Sequence, residues 1–273
     1  MKNNESLVWC NLPKAGLGNQ LFPLLKAYVY AELHNLPIVI TNYHQLKIGP
    51  YLRKEKTKRN YNNFFLFQQS FLTDILHRIK MWFLSKFKNV VEDVSDLKQI
   101  PESNTIYQFS KVAHWSDYFK DFRPHRQLII ETFYKIVRPD ILAIINSMKP
   151  SAIGAHVRLG DFKMLDTEGD IYNKGAVRTP QQYFIETILK IRIKSNSELP
   201  CAVFTDGFAT EVGDIIALPK TKIIEGNKDI VDLILLSKSS YIITSVGSTF
   251  SYWAGFLGDA EVIQHPLNTI KIK

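Results

Sequence analysis

Cysteine is nearly absent: Cys10 and Cys201 are the only two in 273 residues. Two thiols cannot staple a disulfide framework and are too sparse for a zinc cage. Their scarcity points to a reducing cytosol. Long apolar runs are lacking as well, with nothing near the roughly 18 unbroken residues of a membrane span. The opening MKNNESLVWCNLPKAG has neither the basic nor the apolar stretch of a secretory signal. A cytoplasmic location is therefore expected. Three site signatures are also missing: no GxxxxGKS/T phosphate loop, no HExxH zinc motif, and no DxD pair to hold a divalent ion against a diphosphate.

What is present reads as an ordinary folded chain. Hydrophobic residues make up 45% and charged residues 22%, which excludes disorder, collagen-like repeats and a coiled coil. The charge is uneven. Residues 1–150 hold 21 Lys and Arg against 12 Asp and Glu, a balance of +9, whereas the remainder balances at −1. A basic first half suits nucleic acid, anionic lipid headgroups or a phosphorylated substrate. It equally suits a solvated face that keeps the protein soluble. No nucleic-acid-binding module is recognised, so nucleic acid is not an expected partner.

Hydrophobic periodicity gives an α/β chain. Leu7 to Leu12 reads as a strand, Lys14 to Gln20 as a glycine-punctuated loop, Leu21 to Leu33 as a helix and Pro37 to Thr41 as a second strand. Residues 45–150 resist assignment. Within them, Arg53 to Arg59 (RKEKTKR) reads as an exposed charged loop. Phe64 to Phe87 reads as an amphipathic helix, packed on its own domain or lying on a membrane surface. Ser147 to Ser151 reads as a domain boundary, giving domains 1–150 and 151–273. Beyond it the alternation is clear: strands at Ala152–Val157, Cys201–Phe204, Lys222–Ile224, Tyr241–Thr244 and Glu261–Ile263 are separated by helices. Five such strands imply a parallel sheet covered on both faces.

Three polar clusters follow strands of the second half: His156 to Asp161, Phe204 to Gly207, and Ser245 to Ser251. Three on one sheet edge point to a ligand site. The third offers hydroxyls, a glycine and backbone N–H groups at a helix start, which either cradle phosphate oxygens or simply cap the helix. Arg158 either forks onto a pyrophosphate or pairs with Asp161. His156 is either a ligand-reading group or a satisfied core histidine. Gly16-Leu17-Gly18 supplies two glycines of a dinucleotide fingerprint, but Leu21 stands where the third belongs. Thr41 and Asn42 replace the ribose-binding acid, which argues against a dehydrogenase.

These residues resemble a known family. GLGNQLF at Gly16–Phe22, HVRLGD at His156–Asp161, FTDG at Phe204–Gly207, and the stretch Ser248 to Ala254 occur in the order seen in the α-1,2-fucosyltransferases, glycosyltransferase family 11. Asp232 to Ser237 is similar to that family too. The resemblance implies a GT-B-type α/β fold, with two Rossmann-like domains facing across a cleft. It implies GDP-fucose as donor, an inverting reaction, and no metal or other cofactor. By the same resemblance, His156 and Asp232 read the guanine, and Arg158 holds the β-phosphate. Ser248, Thr249, Phe250 and Ser251 hold the pyrophosphate, with Asp206 supporting the floor of the site. Gly16, Gly18 and Asn19 close over the sugar from the N-terminal, acceptor-side domain.

The chemistry agrees with that division. Departing GDP leaves negative charge on the β-phosphate, which without a metal must be met by Arg and helix-terminal donors. A carboxylate near the anomeric carbon assists the acceptor hydroxyl, and Asp161 is the nearest by sequence, as base or as a group orienting Arg158. Two positions depart from the family pattern. Leu159 stands where a second arginine is common, and Gly207 where a second acid is expected. The reading is fucosyl transfer to a sugar hydroxyl, the 2-OH of a galactoside, in bacterial surface-glycan synthesis. Its alternatives are another nucleotide-sugar donor on the same fold, or a non-catalytic GDP-sugar or glycan binder. A glycan acceptor and peripheral contact with an anionic inner membrane complete the expected partners.

Overall fold

A computed structural model describes residues 6–45, 48–52, 56, 59, 61–67, 70–164, 171 and 177–273. In chain order its helices and strands are β1 (Leu7–Asn11), α1 (Leu17–Leu33), β2 (Ile38–Thr41), α2 (Gly49–Leu52), α3 (Phe71–Leu84), β3 (Asn89–Glu92), β4 (Thr105–Phe109), α4 (Arg126–Ile136), α5 (Pro139–Ser147) and β5 (Ile153–Val157), followed by α6 (Gln181–Lys194), β6 (Cys201–Thr205), α7 (Gly213–Ile216), β7 (Thr221–Ile224), α8 (Asp229–Ser237), β8 (Tyr241–Ile243), α9 (Thr249–Leu257) and β9 (Glu261–Ile263). They form two compact units. One holds the described residues of Met1–Leu46, Asn60–Arg138 and Lys271–Lys273; the other holds those of Lys47–Arg59 and Pro139–Ile270. The division thus falls at Arg138–Pro139 rather than after Pro150, because α5 packs on α8 of the second unit.

The first unit is built on a parallel sheet in the order β2-β1-β4-β3. Its central strand LVWCN carries an apolar run because parallel strands are covered on both faces. Helix α1 packs on β1, with Leu21, Phe22, Leu25 and Tyr30 fully buried. Phe22 meets the rings of Phe119 and Phe122 at 5.4 and 5.5 Å. Strands β3 and β4 fall in the stretch that periodicity left unassigned. β3 is a four-residue edge strand, largely exposed, and so lacks an apolar alternation to read.

Helix α3 falls within the amphipathic stretch expected from the sequence. Ser70 caps it, its hydroxyl accepting the Thr73 N–H at 3.1 Å. The helix leans on β2 through few residues: of its fourteen, only Asp74 and Met81 are buried. Asp74 is the tie. Its carboxylate accepts the backbone N–H of His44 at 3.2 Å and that of Tyr43 at 3.4 Å, and pairs with Arg78 at 2.8 Å.

The second unit is a parallel sheet ordered β7-β6-β5-β8-β9, and all five strands expected from the sequence are there. Its core runs through Ile153, Val157, Phe184, Ile188 and Val203, with Leu159 joining from beyond the end of β5. Both cysteines are buried and free, one in each unit. Among the described residues, no helix is long and apolar enough to cross a membrane.

Asp74→Ala strands two backbone donors that the carboxylate now satisfies. It should destabilise the first unit by about 1–3 kcal/mol, measured as a lower urea midpoint with an unchanged slope.

Candidate active site

In the second unit the chain runs from β5 through α6 to β6 on one side, then reaches β8 on the other. The strand order reverses between β5 and β8, and ligands in such sheets sit beyond the strand carboxyl ends at that reversal. The three polar clusters converge there. Ser245 stitches β5 to β8, donating to the His156 carbonyl at 2.7 Å and accepting the Arg158 N–H at 2.8 Å. Asp206, just past β6, accepts the Leu159 and Gly160 N–H groups at 2.8 and 3.3 Å. A Cβ at Gly160 would strike that carboxylate, so the backbone must be bare to come so close.

Arg158 is held from both ends of its fork. Nη1 lies 2.7 Å from Asp206 Oδ2 as an ion pair, and Nη2 donates to Asp161 Oδ1 at 2.6 Å. A second guanidinium closes the chain: Arg59 donates to Asp161 Oδ2 at 3.1 Å and lies 2.9 Å from Oδ1. Burial works to raise the Asp161 pKa, but the Arg59 hydrogen bond and the charges of Arg158 and Arg59 outweigh it and hold the carboxyl well below its usual range. This carboxylate is a poor proton acceptor and a firm orienting group. Arg59 ends the run read from sequence as an exposed charged loop, yet its side chain is only 10% exposed. A basic run carries no sign of which member will find a carboxylate a hundred residues away.

His156 is enclosed. Its ring stacks on Phe250 with centroids 4.8 Å apart, and Nδ1 lies 3.4 Å from the Ser248 hydroxyl. Burial, helped by the charge of Arg158, lowers its pKa to about 3, so the imidazole is neutral. Ser248 occupies the N-cap position of α9 without capping it, because its hydroxyl faces His156 instead. Ser251 is fully buried and donates to the Ser248 carbonyl at 3.1 Å. Of the four residues from Ser248 to Ser251, Thr249 and Phe250 therefore reach solvent. The glycine before them takes φ +68°, and its N–H donates to the Tyr252 hydroxyl at 2.9 Å.

Asp232 stands in the first turn of α8, where Asn227 donates to it at 2.9 Å. Burial raises its pKa to about 7 against the Asn227 hydrogen bond; the charge of Asp229 adds to the rise and that of Lys56 opposes it. Lys56 pairs with Glu225 beside it. Lys56 and Arg59 are three residues apart, so their Cα atoms lie within about 11 Å. One short segment thus serves both the Asp232 and the Asp161 clusters. Sequence reasoning missed Arg59, Lys56 and Asn227.

The two departures from the family pattern meet each other. Leu159 turns into the apolar core, and a side chain at Gly207 would collide with it. An acid there would also approach Glu211, whose Oε2 lies 2.9 Å from where a Cβ would be. Leu159 fills the space that a side chain at position 207 would need.

Gly16, Gly18 and Asn19 belong to the first unit. The stretch from Lys14 to Gln20 was expected to be a loop, but α1 already begins at Leu17, with Gly16 extended at its N-cap. The Gln20 side chain donates to the Pro13 carbonyl and to Gln45, both at 3.1 Å, which holds the turn against the helix.

Two α/β units, each built on a parallel sheet, give the chain the architecture of GT-B type. The sequence matches the model of Glycosyl transferase family 11 over residues 4–269, and the chain belongs to that family. Solved structures share the fold. The α-1,6-fucosyltransferase NodZ soaked with GDP-fucose is 16% identical, covering 96% of each chain with a TM-score of 0.53. POFUT1 in complex with GDP is 13% identical, over 97% of this chain and 100% of that one, at 0.54. An Arabidopsis thaliana FUT1 variant in complex with GDP is 13% identical, over 98% and 73%, at 0.52. A comparison with curated protein sequences finds no match.

His156 and Asp232 make opposite demands on pH. Between about pH 4 and 6.5 unfolding lets His156 gain a proton, so its contribution to stability rises with pH. Over the same window unfolding lets Asp232 lose one, so its contribution falls as pH rises. In the native protein the two slopes oppose. Asp232→Asn should leave a stability that rises with pH by about one proton's worth, and His156→Gln one that falls. Urea titrations at several pH values read both.

Proposed function

We propose that this protein is an inverting fucosyltransferase. It moves L-fucose from GDP-fucose to a sugar hydroxyl, the 2-OH of a galactoside, in the assembly of a bacterial surface glycan. The second unit takes the GDP-sugar and the first the acceptor. One observation carries the reading: Arg158 is fixed at the strand reversal by two carboxylates, one on each terminal nitrogen. Each of those nitrogens bears two hydrogens, so pairing one leaves a second for a diphosphate oxygen. The fork is set before the donor arrives.

The chemistry follows from that anchor. As the bond to fucose lengthens, charge gathers on the β-phosphate, and a preorganised guanidinium stabilises it without reorganising. Thr249 and Phe250 at the start of α9 offer the helix-terminal donors to the same diphosphate. Asp206 fixes the floor through two backbone N–H groups. Asp161 orients Arg158 and Arg59 and is too weak a base to take the acceptor proton. Asp232, once ionised, accepts from guanine N1 and N2; His156, expected to read the base beside it, is buried against Phe250 and instead supports that ring from the interior. The transferred charge is met by guanidinium groups, so the reaction proceeds without a metal.

A donor-by-acceptor screen tests this, with GDP-fucose and GDP-mannose against galactosides, with and without EDTA. Transfer from GDP-fucose that survives EDTA is expected. Transfer only from another donor, or GDP binding without turnover, would overturn it. Arg158→Ala should cut kcat by about 10²–10³ with a smaller effect on GDP affinity, because its worth lies in the transition state. Guanine binding selects the ionised Asp232, whose pKa lies near 7 in the free protein. GDP affinity should therefore fall about tenfold from pH 8 to pH 6. Asp232→Asn should bind GDP weakly and without that pH dependence, as read by calorimetry.

A further inference from the structure

Helix α3 is amphipathic the wrong way round for a helix that covers a core. Asp74 and Met81 face inward, and the large apolar side chains face water. Phe71, Leu72, Leu76, Ile79, Trp82 and Phe83 are each between 55% and 70% exposed. Their spacing of three and four residues places them on one side of the helix, in a continuous stripe. Phe87, just past the helix, extends the stripe at 68% exposed. Scattered exposed apolar residues are ordinary, but a contiguous patch of this kind marks an interaction surface.

The exposed charge along this stretch of chain has one sign. Residues 70–91 hold Arg78, Lys80, Lys86 and Lys88 against one acid, Asp74, which is buried and already paired with Arg78. Lys80 and Lys86 are exposed at the rim of the stripe. The Lys86 ammonium sits 4.3 Å from the centre of the Trp82 ring, so cation and indole lie at one level. Indole beside ammonium, with aliphatic and phenyl groups between, is the arrangement that rests at the boundary of headgroup and acyl chain.

We propose that the apolar stripe of α3 seats the protein on an anionic lipid bilayer, with Lys80 and Lys86 against the headgroups. The fourteen-residue helix is about 21 Å long, too short for the roughly 30 Å hydrocarbon core. It lies along the surface. A second copy fits the stripe less well, since a two-fold contact would set the lysine rim of one copy against that of the other. The inference stands on the helix itself and is independent of the identity of the sugar donor.

Co-sedimentation of the full chain with vesicles tests it. The protein should pellet with phosphatidylcholine vesicles containing phosphatidylglycerol at low salt, and be released as salt rises. Leu76→Glu with Ile79→Glu, both at exposed positions, should abolish binding. Lys80→Glu with Lys86→Glu should weaken partitioning about fivefold or more per cation removed, on the anionic vesicles alone. Trp82 fluorescence should shift to the blue on binding, a shift absent in Trp82→Phe. Failure to bind anionic vesicles at low salt would overturn the proposal, as would native binding by the Leu76→Glu, Ile79→Glu variant. A native dimer in sedimentation velocity that this variant splits would assign the stripe to contact between copies instead.

Discussion

Four charges in a row organise the second unit: Asp206, Arg158, Asp161 and Arg59, alternating in sign with neighbours under about 3.2 Å. Two guanidiniums and two carboxylates leave these four groups with no net charge, and their alternation sets each beside a partner of opposite sign. The cancellation needs three separate strand ends and one distant segment to arrive together. Ser245 couples β8 to β5, Asp206 couples β6 to the turn after β5, and Arg59 brings in the segment before it. Removing any one leaves a half-buried charge short of a partner, which is the costly outcome for such groups. The network therefore fixes both the conformation of the site and the orientation of its central guanidinium.

The arrangement also explains why helix α9 starts as it does. A serine at an N-cap ordinarily satisfies the first-turn donors itself. Ser248 turns toward His156 instead, and the neutral imidazole accepts that company because burial has stripped its charge. The Ser248 side chain is thereby turned away from the first-turn donors of the helix. Interior packing and ligand-facing chemistry are two sides of one residue's choice of partner.

How much of this was legible in the sequence follows physical range. The second sheet was legible strand by strand, since its runs are short, apolar and bounded by turns. The motif residues after β5, β6 and β8 were legible because a parallel sheet delivers its loop ends to one edge. β3 was not, being a mostly exposed edge strand without alternation. The start of α1 was displaced by four residues because glycines at a helix entrance look like a loop until the Gln20 side chain is seen to clamp them. Arg59 was invisible: its partner is fixed by tertiary approach, and the charged residues around it mask the one that pairs. Helix α3 was legible as amphipathic, but periodicity tells which residues share a face and not which face turns inward. That took Asp74, whose buried carboxylate commits the helix to showing its apolar side.

The contact between Leu159 and Gly207 carries a consequence for how this chain can change. A side chain placed at position 207 alone is driven into Leu159, and a guanidinium placed at 159 alone enters the aliphatic core that Leu159 now shares with Phe184 and Val203. Each change alone therefore disturbs packing that only a change at the other position relieves. The two positions are coupled through one contact, so what either can become is set by what the other is.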